Sequence, residues 1–206
     1  MKQYNYKQAK FFTTVNDLAS LPTDFKLEIA ICGRSNAGKS TLLNTLCNQV
    51  RLAFTSKTPG RTQHINYFDI NDAYLVDLPG YGYAKVPPNV KKHWEQLLGK
   101  YLTTRKQLIG LILIMDSRHP LKELDLLMLD FFSQTNKPIH IVLSKSDKLN
   151  NQEKSNILKH VNTALTEKEY IHTTVQLFSA LKRQGINELE TVLDKWLNSH
   201  LPISLD

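Results

Sequence analysis

The sequence contains few cysteines and no long apolar stretch, which limits the classes of protein it can belong to. Only two cysteines occur, Cys32 and Cys47, and neither an HExxH motif nor a Cys/His cluster accompanies them. We therefore expect buried core cysteines in a reducing compartment, without a disulfide or a transition-metal site. The longest apolar run, 108–115, is far too short to cross a bilayer, and the first twelve residues lack the hydrophobic core of a secretory signal. These absences predict a protein of a reducing compartment with no membrane span.

Acidic residues are also outnumbered. The 206 residues include 26 Lys and Arg against 19 Asp and Glu, a formal net charge of +7. The excess lies in residues 1–106, which hold 15 basic and 7 acidic residues. Such a surface either meets phosphates and an RNA backbone or only keeps the protein in solution, and charge alone leaves both open.

No internal repeat or low-complexity segment interrupts the chain, and its length fits one domain. We predict a single domain over residues 1–206, in which residues 1–27 form an N-terminal lead-in. Leu18, Leu21 and Phe25 of this lead-in surround a proline turn, and we expect them to pack on the edge of a sheet.

Predicted strands alternate with predicted helices along the rest of the chain. The strands are expected at residues 28–32, 63–70, 73–78, 108–115, 138–143 and 174–178. The helices are expected at about 38–49, 89–103, 121–132, 151–165 and 186–201. An Asn71-Asp72 turn joins the second and third strands into an antiparallel hairpin. The pattern indicates a doubly wound α/β fold with a six-stranded, mostly parallel sheet, one antiparallel edge strand and helices on both faces.

One segment, Gly33–Ser40, has the pattern of a phosphate-binding loop. It reads GRSNAGKS, which fits GxxxxGK[ST], and it lies between a predicted strand and a predicted helix as such a loop requires. Backbone N–H groups of the loop can converge on an anion, while Lys39 can reach the β- and γ-phosphates and Ser40 can bind Mg²⁺. The candidate nucleotide-binding residues of this loop are Gly33, Arg34, Ser35, Asn36, Ala37, Gly38, Lys39 and Ser40.

Polar motifs follow three other predicted strands, and ligands of such sheets bind at the carboxyl ends of the strands. The first, Asp77-Leu78-Pro79-Gly80, fits DxxG. Its carboxylate can hold Mg²⁺ through water, and the Gly80 N–H can contact a γ-phosphate. By itself this tetrapeptide is typical of a turn after a strand, so its position behind the phosphate-binding loop carries the interpretation.

The second and third motifs, Ser144-Lys145-Ser146-Asp147 and Phe178-Ser179-Ala180, predict a site for a guanine base. The Asp147 carboxylate can accept hydrogen bonds from N1–H and the 2-amino group of guanine, whereas adenine offers neither donor. The Lys145 stem can lie over the purine, and a backbone N–H of the third motif can bind the guanine carbonyl oxygen. A solvated turn is the alternative for either motif alone.

Taken together, GxxxxGKS, DxxG, [NTS]KxD and SA in this order resemble the motifs of Ras-like GTPases of the translation-factor class. The segments GRSNAGKS, TPGRTQHINYF and DLPGYGYAKV, with the K-x-x-W helix that follows, are similar to the EngB (YihA/YsxC) family of bacterial GTPases in the TrmE-Era-EngA-EngB-septin-like superfamily. The resemblance implies a Ras-like P-loop GTPase fold, binding of GTP and GDP with Mg²⁺, and hydrolysis of GTP. It also implies a part in assembly of the large (50S) ribosomal subunit and in cell division and septation.

The same resemblance assigns residues around the phosphates. Thr62 matches the switch-I threonine whose hydroxyl joins Mg²⁺ in the GTP state. The residues that would lie over the phosphates are Gly60, Arg61, Thr62, Gln63 and His64. The implied metal ligands are Ser40, Thr62 and Asp77. The implied catalytic residues are Lys39, Thr62 and Gly80.

Three positions bear on nucleotide affinity and on the rate of hydrolysis. Ser144 replaces the Asn that usually braces the P-loop against the base loop, and we expect the shorter side chain to weaken nucleotide affinity. Tyr81 stands where Ras-like enzymes have a water-orienting Gln, so we expect slow intrinsic hydrolysis that a partner stimulates, with Tyr81 and Tyr83 in switch movements or partner contacts. Asn36 matches a K⁺-coordinating Asn of potassium-stimulated relatives, and it either binds K⁺ or only shapes the loop.

Basic and aromatic residues interleave between the DxxG motif and the fourth predicted strand, as on surfaces that bind RNA. They are Lys85, Lys91, Lys92, His93, Trp94, Lys100, Tyr101, Arg105 and Lys106. Trp94 and Tyr101 share a helix face that is more typical of a core, so the lysines are the stronger candidates for RNA contacts.

The motifs indicate a GTPase switch, which we expect to be monomeric. The family resemblance implies that its partner is the 50S subunit or its precursors, through rRNA and ribosomal proteins. Two alternatives stay open. A P-loop ATPase or kinase is opposed by Asp147. A nucleotide-binding interaction protein of the division machinery would bind GTP without significant hydrolysis.

Overall fold

The computed structural model describes residues 2–53, 64–81 and 88–200, and of residues 88–95 it describes the backbone only. The strands are Lys10–Val15 (β1), Leu27–Gly33 (β2), Ile65–Asp69 (β3), Ala73–Asp77 (β4), Leu108–Asp116 (β5), Ile139–Ser144 (β6) and Thr173–Leu177 (β7). The helices are Lys39–Leu46 (α1), Pro88–Thr104 (α2), Glu123–Ser133 (α3), Asn151–Glu167 (α4) and Ile186–Ser199 (α5). Short 3₁₀ turns cover Tyr6–Gln8, Leu18–Ser20 and Ser146–Lys148.

The strands of the described residues form one mixed sheet in the order β1-β3-β4-β2-β5-β6-β7. Strand β3 runs antiparallel to both of its neighbours, and β4, β2, β5, β6 and β7 are parallel to one another. The α/β fold predicted from the sequence, including the hairpin of β3 and β4, is confirmed. Because parallel strands end together, the residues that follow these five strands meet at one edge of the sheet.

The sheet has seven strands where the sequence predicted six, because β1 forms within the lead-in and pairs with β3. Only Val15 of β1 is buried, and the register shifts between Phe11 and Thr13. Because the bulge interrupts the alternation and every residue of β1 before Val15 is exposed or half-buried, the strand shows no regular alternation of apolar and polar residues, which explains why the pattern does not reveal it. The antiparallel strand β3 consequently lies inside the sheet, and β1 forms the edge.

The remainder of the lead-in follows the prediction in part. Leu18 and Leu21 pack against the hydrophobic core. The prediction for Phe25 is wrong, because 91% of this residue is exposed. Two of the three predicted contacts are therefore present, and the third residue lies in solvent.

Alternate residues of β2 face two hydrophobic cores. Ile29 and Ile31 pack with helices α1 and α5, while Ala30 and Cys32 pack with α2, α3 and α4. Both cysteines are buried and unpaired, and burial raises the pKa of the Cys47 thiol to about 12. They are core residues, as the sequence predicted. In the part of the chain that the structure describes, every helix is too short or too polar to cross a membrane.

Helix α2 is attached to the sheet by two side chains, those of Tyr101 and Arg105, that belong to the predicted group of basic and aromatic RNA candidates. The Tyr101 hydroxyl donates to Glu28 Oε2 at 2.8 Å, and Arg105 Nε donates to Glu28 Oε1 at 2.8 Å. Tyr101 is fully buried, as its helical spacing predicted, and 12% of the Arg105 side chain is exposed. Arg105 is therefore corrected from an RNA candidate to a structural residue. Five other members of this group have side chains outside the described residues: Lys85, Lys91, Lys92, His93 and Trp94.

Candidate functional site

Four sequence motifs meet at the carboxyl edge of the sheet. Gly33 ends β2, Asp77 ends β4, Ser144 ends β6, and Phe178 directly follows β7. A further acidic residue, Asp116, ends β5 between them. The topology thus brings the phosphate-binding loop, the DxxG motif and both base motifs to one place, although long stretches of sequence separate them.

The P-loop, Gly33–Ser40, turns from β2 into α1 through two residues in left-handed backbone conformations. Asn36 has φ 61° and Gly38 has φ 105°. Glycine adopts this geometry because it has no Cβ, and asparagine tolerates it better than most residues because its short polar side chain can hydrogen-bond locally. The backbone alone therefore gives a reason for an asparagine at position 36, which supports the loop-shaping alternative.

Lys39 and Asp77 form an ion pair between Nζ and Oδ1 at the start of α1. Only 10% of the lysine side chain and 4% of the aspartate side chain are exposed. Ser40 follows Lys39 and is half-buried. The Asp77 carboxylate and the Ser40 hydroxyl are oxygen donors, the ligand type that Mg²⁺ prefers, so the residues present fit this ion. Groups of three or more His, Cys, Asp or Glu side chains placed to hold a metal are not found in the described ranges, so Mg²⁺ would also need phosphate and water ligands.

The DxxG motif lies against the P-loop. Tyr81, the residue after the motif, donates its N–H to the Gly33 carbonyl at 3.3 Å and accepts from the Ser35 N–H at 3.0 Å. A Cβ built on Gly80 would lie 3.5 Å from the Ser35 nitrogen, which is ordinary van der Waals contact. The backbone around Gly80 is thereby fixed next to the loop that would hold the phosphates.

The side chain of Tyr81 is buried rather than presented to a partner. It is 7% exposed, and its hydroxyl donates to Asp125 Oδ1 in α3 at 2.9 Å. Arg34 Nε lies 3.2 Å from the other oxygen of Asp125, so one buried carboxylate joins the P-loop to the segment after DxxG. Burial, chiefly, raises the pKa of the Tyr81 phenol, which therefore stays neutral.

Ser144 connects the first base motif to the P-loop. Its Oγ is within hydrogen-bond distance of the Ala37 carbonyl and of the Met115 carbonyl, the second at 3.1 Å. The hydroxyl has one proton and can donate to one of these carbonyls at a time. Because β6 ends close to Ala37, the short Ser144 side chain reaches the P-loop and connects it to the base motif, the role expected of an asparagine at this position.

Lys145 makes a second connection to the P-loop. Its Nζ donates to the Asn36 carbonyl at 2.8 Å and to Asp116 Oδ2 at 2.9 Å. Its backbone is left-handed, with φ 58°, which is unusual for a lysine. About a third of the side chain stays exposed, so the stem can still contact a bound purine.

Asp147 is held in place by the second base motif. The Ser179 hydroxyl donates to Asp147 Oδ1 at 2.7 Å, and the Lys148 ammonium lies 3.6 Å from Oδ2. The Ser179 hydrogen bond is the main cause of a lowered Asp147 pKa. The Ser146 N–H also donates to the Phe178 carbonyl at 3.1 Å, so the two motifs form one unit with an ionised acceptor. Ala180 follows, partly buried.

The remaining candidates and two new residues complete the site. His64 is exposed directly before β3, whereas Gly60, Arg61, Thr62 and Gln63 lie outside the described residues. Asp116 and Asp125 are absent from the sequence-based candidates. Asp116 carries the same signal as Asp77, an acidic residue at the end of a buried apolar strand. Asp125 lies inside an amphipathic helix and carries no such signal.

The chain as a whole matches a family of known proteins. A family described as 50S ribosome-binding GTPase matches residues 28–145. The probable GTP-binding protein EngB of Neisseria meningitidis serogroup B is 58% identical over 196 residues, which cover 94% of this chain and 93% of that protein. The protein of the same name from Laribacter hongkongensis is 57% identical over 194 residues, which cover 93% and 86% of the two chains.

Solved structures agree at the level of the fold. A crystal structure of a probable GTP-binding protein engB matches with a TM-score of 0.66 at 19% identity, over 84% of this chain and 100% of that chain. An Era variant from Aquifex aeolicus bound to GDP and AlF₄⁻ matches with a TM-score of 0.67 at 25% identity, over 85% and 58% of the two chains. With the P-loop GTPase fold and this identity to relatives over nearly its whole length, the chain belongs to the EngB family.

Proposed function

We propose that the protein binds GTP and GDP with Mg²⁺ at the P-loop and hydrolyses GTP slowly, as a molecular switch. The observation that carries the proposal is the position of Asp147. The Ser179 hydroxyl holds its carboxylate in place, and Ser144, in the same motif as Asp147, is bonded to the P-loop. An ionised carboxylate there favours guanine, which presents two donors, and disfavours adenine, which presents a lone pair. Family membership supports the same assignment, since the relatives are named GTP-binding proteins.

The roles of the other residues follow from their chemistry and their place. Lys39 and the first N–H groups of α1 would bind the phosphates. The Ser40 hydroxyl would bind Mg²⁺ directly and the Asp77 carboxylate would hold it through water, with Thr62 as a further ligand carried over from the family resemblance. Bound Mg²⁺ neutralises the charge that phosphoryl transfer develops on the phosphate oxygens. The Gly80 N–H would contact the γ-phosphate, so the conformation of the DxxG segment would depend on whether GTP or GDP is bound.

Slow hydrolysis follows from Tyr81. The position calls for a side chain that orients water, and the phenol instead donates to buried Asp125. Because burial raises its pKa, the phenol cannot act as a base near neutral pH. Faster turnover would then depend on groups that a partner supplies.

The partner we propose is the 50S ribosomal subunit or a precursor of it. The matching family is described as 50S ribosome-binding GTPase, and the basic excess of residues 1–106 suits an rRNA backbone. Lys100 and Lys106 are exposed, and with Lys91 and Lys92 they are the proposed contacts. A cytoplasmic monomer with a part in large-subunit assembly and in normal cell division remains the prediction.

Nucleotide competition tests the binding part of the proposal. Fluorescent GDP bound to the protein should be displaced by GTP and GDP and not by ATP, and D147N should lose this preference. Equal displacement by ATP would favour the ATPase or kinase alternative and overturn the guanine assignment.

Turnover tests the switch. GTP hydrolysis should be slow for the protein alone and faster with 50S subunits, and co-sedimentation with 50S should depend on the nucleotide. Fast turnover without a partner would contradict the proposal, and no turnover even with 50S would favour the interaction protein of the division machinery.

The role of Asn36 is tested by hydrolysis rates measured in K⁺ and in Na⁺. A K⁺ requirement supports cation binding, and equal rates support loop shaping.

A further inference from the structure

Asp116 lies at the centre of a chain of polar contacts that runs from the surface to the P-loop. It ends β5, opposite Ser144 in the parallel register of β5 and β6. Arg118 donates to it three times, from its backbone N–H and Nε to Oδ1 at 3.1 and 2.9 Å and from Nη2 to Oδ2 at 2.6 Å. These bonds fix the rotamer of the carboxylate. Its remaining strong contact is to Lys145 Nζ, at 2.9 Å from Oδ2.

The charge of Asp116 suits that contact. Burial favours the neutral acid, but the hydrogen bonds from Arg118 and Lys145 outweigh it and hold the pKa of Asp116 well below its usual range. The carboxylate is therefore ionised at all pH values at which the protein would work. An ionised acceptor roughly doubles the strength of a hydrogen bond from an ammonium group compared with a neutral one.

We propose that Asp116 is a positioning residue for guanine-nucleotide binding, acting through Lys145. A lysine side chain has four rotatable bonds, and its ordering on binding costs conformational entropy. The Asp116 carboxylate and the Asn36 carbonyl hold the ammonium from two sides, so the stem is already in place under the base before a ligand arrives. The proposal rests on the proposed nucleotide binding and adds to it a residue outside the nucleotide motifs.

A double-mutant cycle on the full chain tests the proposal. The variants are D116N, K145M and D116N/K145M, with D116S as a second substitution in case D116N does not fold. K145M keeps the apolar stem and removes the ammonium. D72N is the matched control, because Asp72 makes an exposed ion pair with Lys2 and lies outside the site. The affinities for GDP and for IDP, which lacks the 2-amino group, are measured by calorimetry.

We expect D116N and K145M each to weaken GDP binding about tenfold, as for loss of a charge-assisted hydrogen bond. The double variant should be no more than about twofold weaker than the weaker single variant, since K145M already removes the Asp116–Lys145 contact that D116N weakens. The ratio of GDP to IDP affinity should stay at its wild-type value in D116N, because Asp147 is untouched, and D72N should bind like wild type.

Two results would overturn the positioning role: D116N within about twofold of wild type, or losses in the double variant that multiply to about a hundredfold. A changed GDP to IDP ratio would also overturn it, because the whole base loop would then have moved. Failure of the proposed function is distinct from these results, since in that case the wild-type protein itself would not bind GDP.

Discussion

The Tyr81 hydroxyl donates a 2.9 Å hydrogen bond to the fully buried carboxylate of Asp125, and this bond attaches the residue after DxxG to helix α3. The same carboxylate lies 3.2 Å from Arg34 Nε and accepts from the Lys122 N–H at 3.1 Å. One carboxylate therefore joins the P-loop, the DxxG segment and the start of α3. A movement of any of these three segments has to change its contacts.

Removing the hydroxyl should loosen this connection. We expect Y81F to lower the free energy of unfolding by about 1–2 kcal/mol, because Asp125 stays buried with an acceptor position unfilled. Amide hydrogen exchange should also become faster for residues 78–81 and for Ser35, whose N–H donates to the Tyr81 carbonyl. Urea unfolding and exchange followed by mass spectrometry measure the two effects.

Y6F is the matched control, since the Tyr6 hydroxyl donates to Asp194 Oδ1 at 2.6 Å on α5. It should lower stability by a similar amount and leave exchange at residues 78–81 unchanged under native conditions. If Y81F also left that exchange unchanged, Asp125 would not restrain the DxxG segment.

Glu28 and Arg105 form a second buried connection, which holds α2 on the sheet. The Glu28 carboxylate is completely buried and accepts from Arg105 Nε at 2.8 Å and from Tyr101 at 2.8 Å. We expect R105M to lower the free energy of unfolding by about 3 kcal/mol, because it leaves a buried carboxylate without its cation. Denaturant unfolding monitored by circular dichroism measures the change.

The double variant E28Q/R105M tests whether the stability lost in R105M comes from the unpaired charge of Glu28. It should be more stable than R105M, since the uncompensated charge is gone. K2M is the control for an exposed ion pair, in which about half of each partner's side chain is in solvent, and it should change nothing measurable. Equal losses in R105M and K2M would show that Glu28 does not need Arg105.

His140 makes stability depend on pH. It is buried in β6, with Nδ1 2.7 Å from Thr174 Oγ1 and Nε2 2.8 Å from Gln176 Oε1. Burial lowers the pKa of His140 in the folded protein below its unfolded value of about 6.5, so protonation favours the unfolded chain. Stability should be constant above about pH 6.5 and should fall as the pH decreases below that value.

The variant H140N identifies the group responsible. Its stability should change less than that of wild type between about pH 7.5 and 5, where few carboxyl groups titrate. Thermal unfolding at a series of pH values measures both proteins. Parallel curves for the two would assign the acid sensitivity to other groups.

The sequence predicts the strands well where both faces of the sheet are buried and poorly at its exposed edge. The apolar runs of β2, β5 and β6 are buried on both faces, and their ends, Gly33, Asp116 and Ser144, fix where the site lies. Strand β1 escapes prediction because it is an edge with a bulge, so its side chains follow no clear period. In the same way the motifs predict which residues share the site. The tertiary contacts that join them, such as Tyr81 to Asp125, have no spacing signal, because partners that meet only through the topology leave no local pattern.

Ser144 offers the last prediction, since the sequence and the structure give different expectations for it. Its hydroxyl reaches the Ala37 carbonyl from a position that is 4% exposed. S144A should therefore weaken GDP binding about fivefold, because the P-loop loses its brace to the base loop and must be ordered by the nucleotide. S144N should bind GDP at least as tightly as wild type if its amide can donate to the same carbonyl.

A neighbouring serine supplies the control for this pair of variants. The Ser117 hydroxyl is buried and has no hydrogen-bond partner among the described residues, while its N–H donates to the Ser144 carbonyl at 2.9 Å, a bond that S117A keeps. S117A should bind GDP like wild type. If S144A also binds GDP like wild type, the contact with Ala37 is dispensable, and the expectation that serine is a weak substitute for asparagine at this position would regain its force.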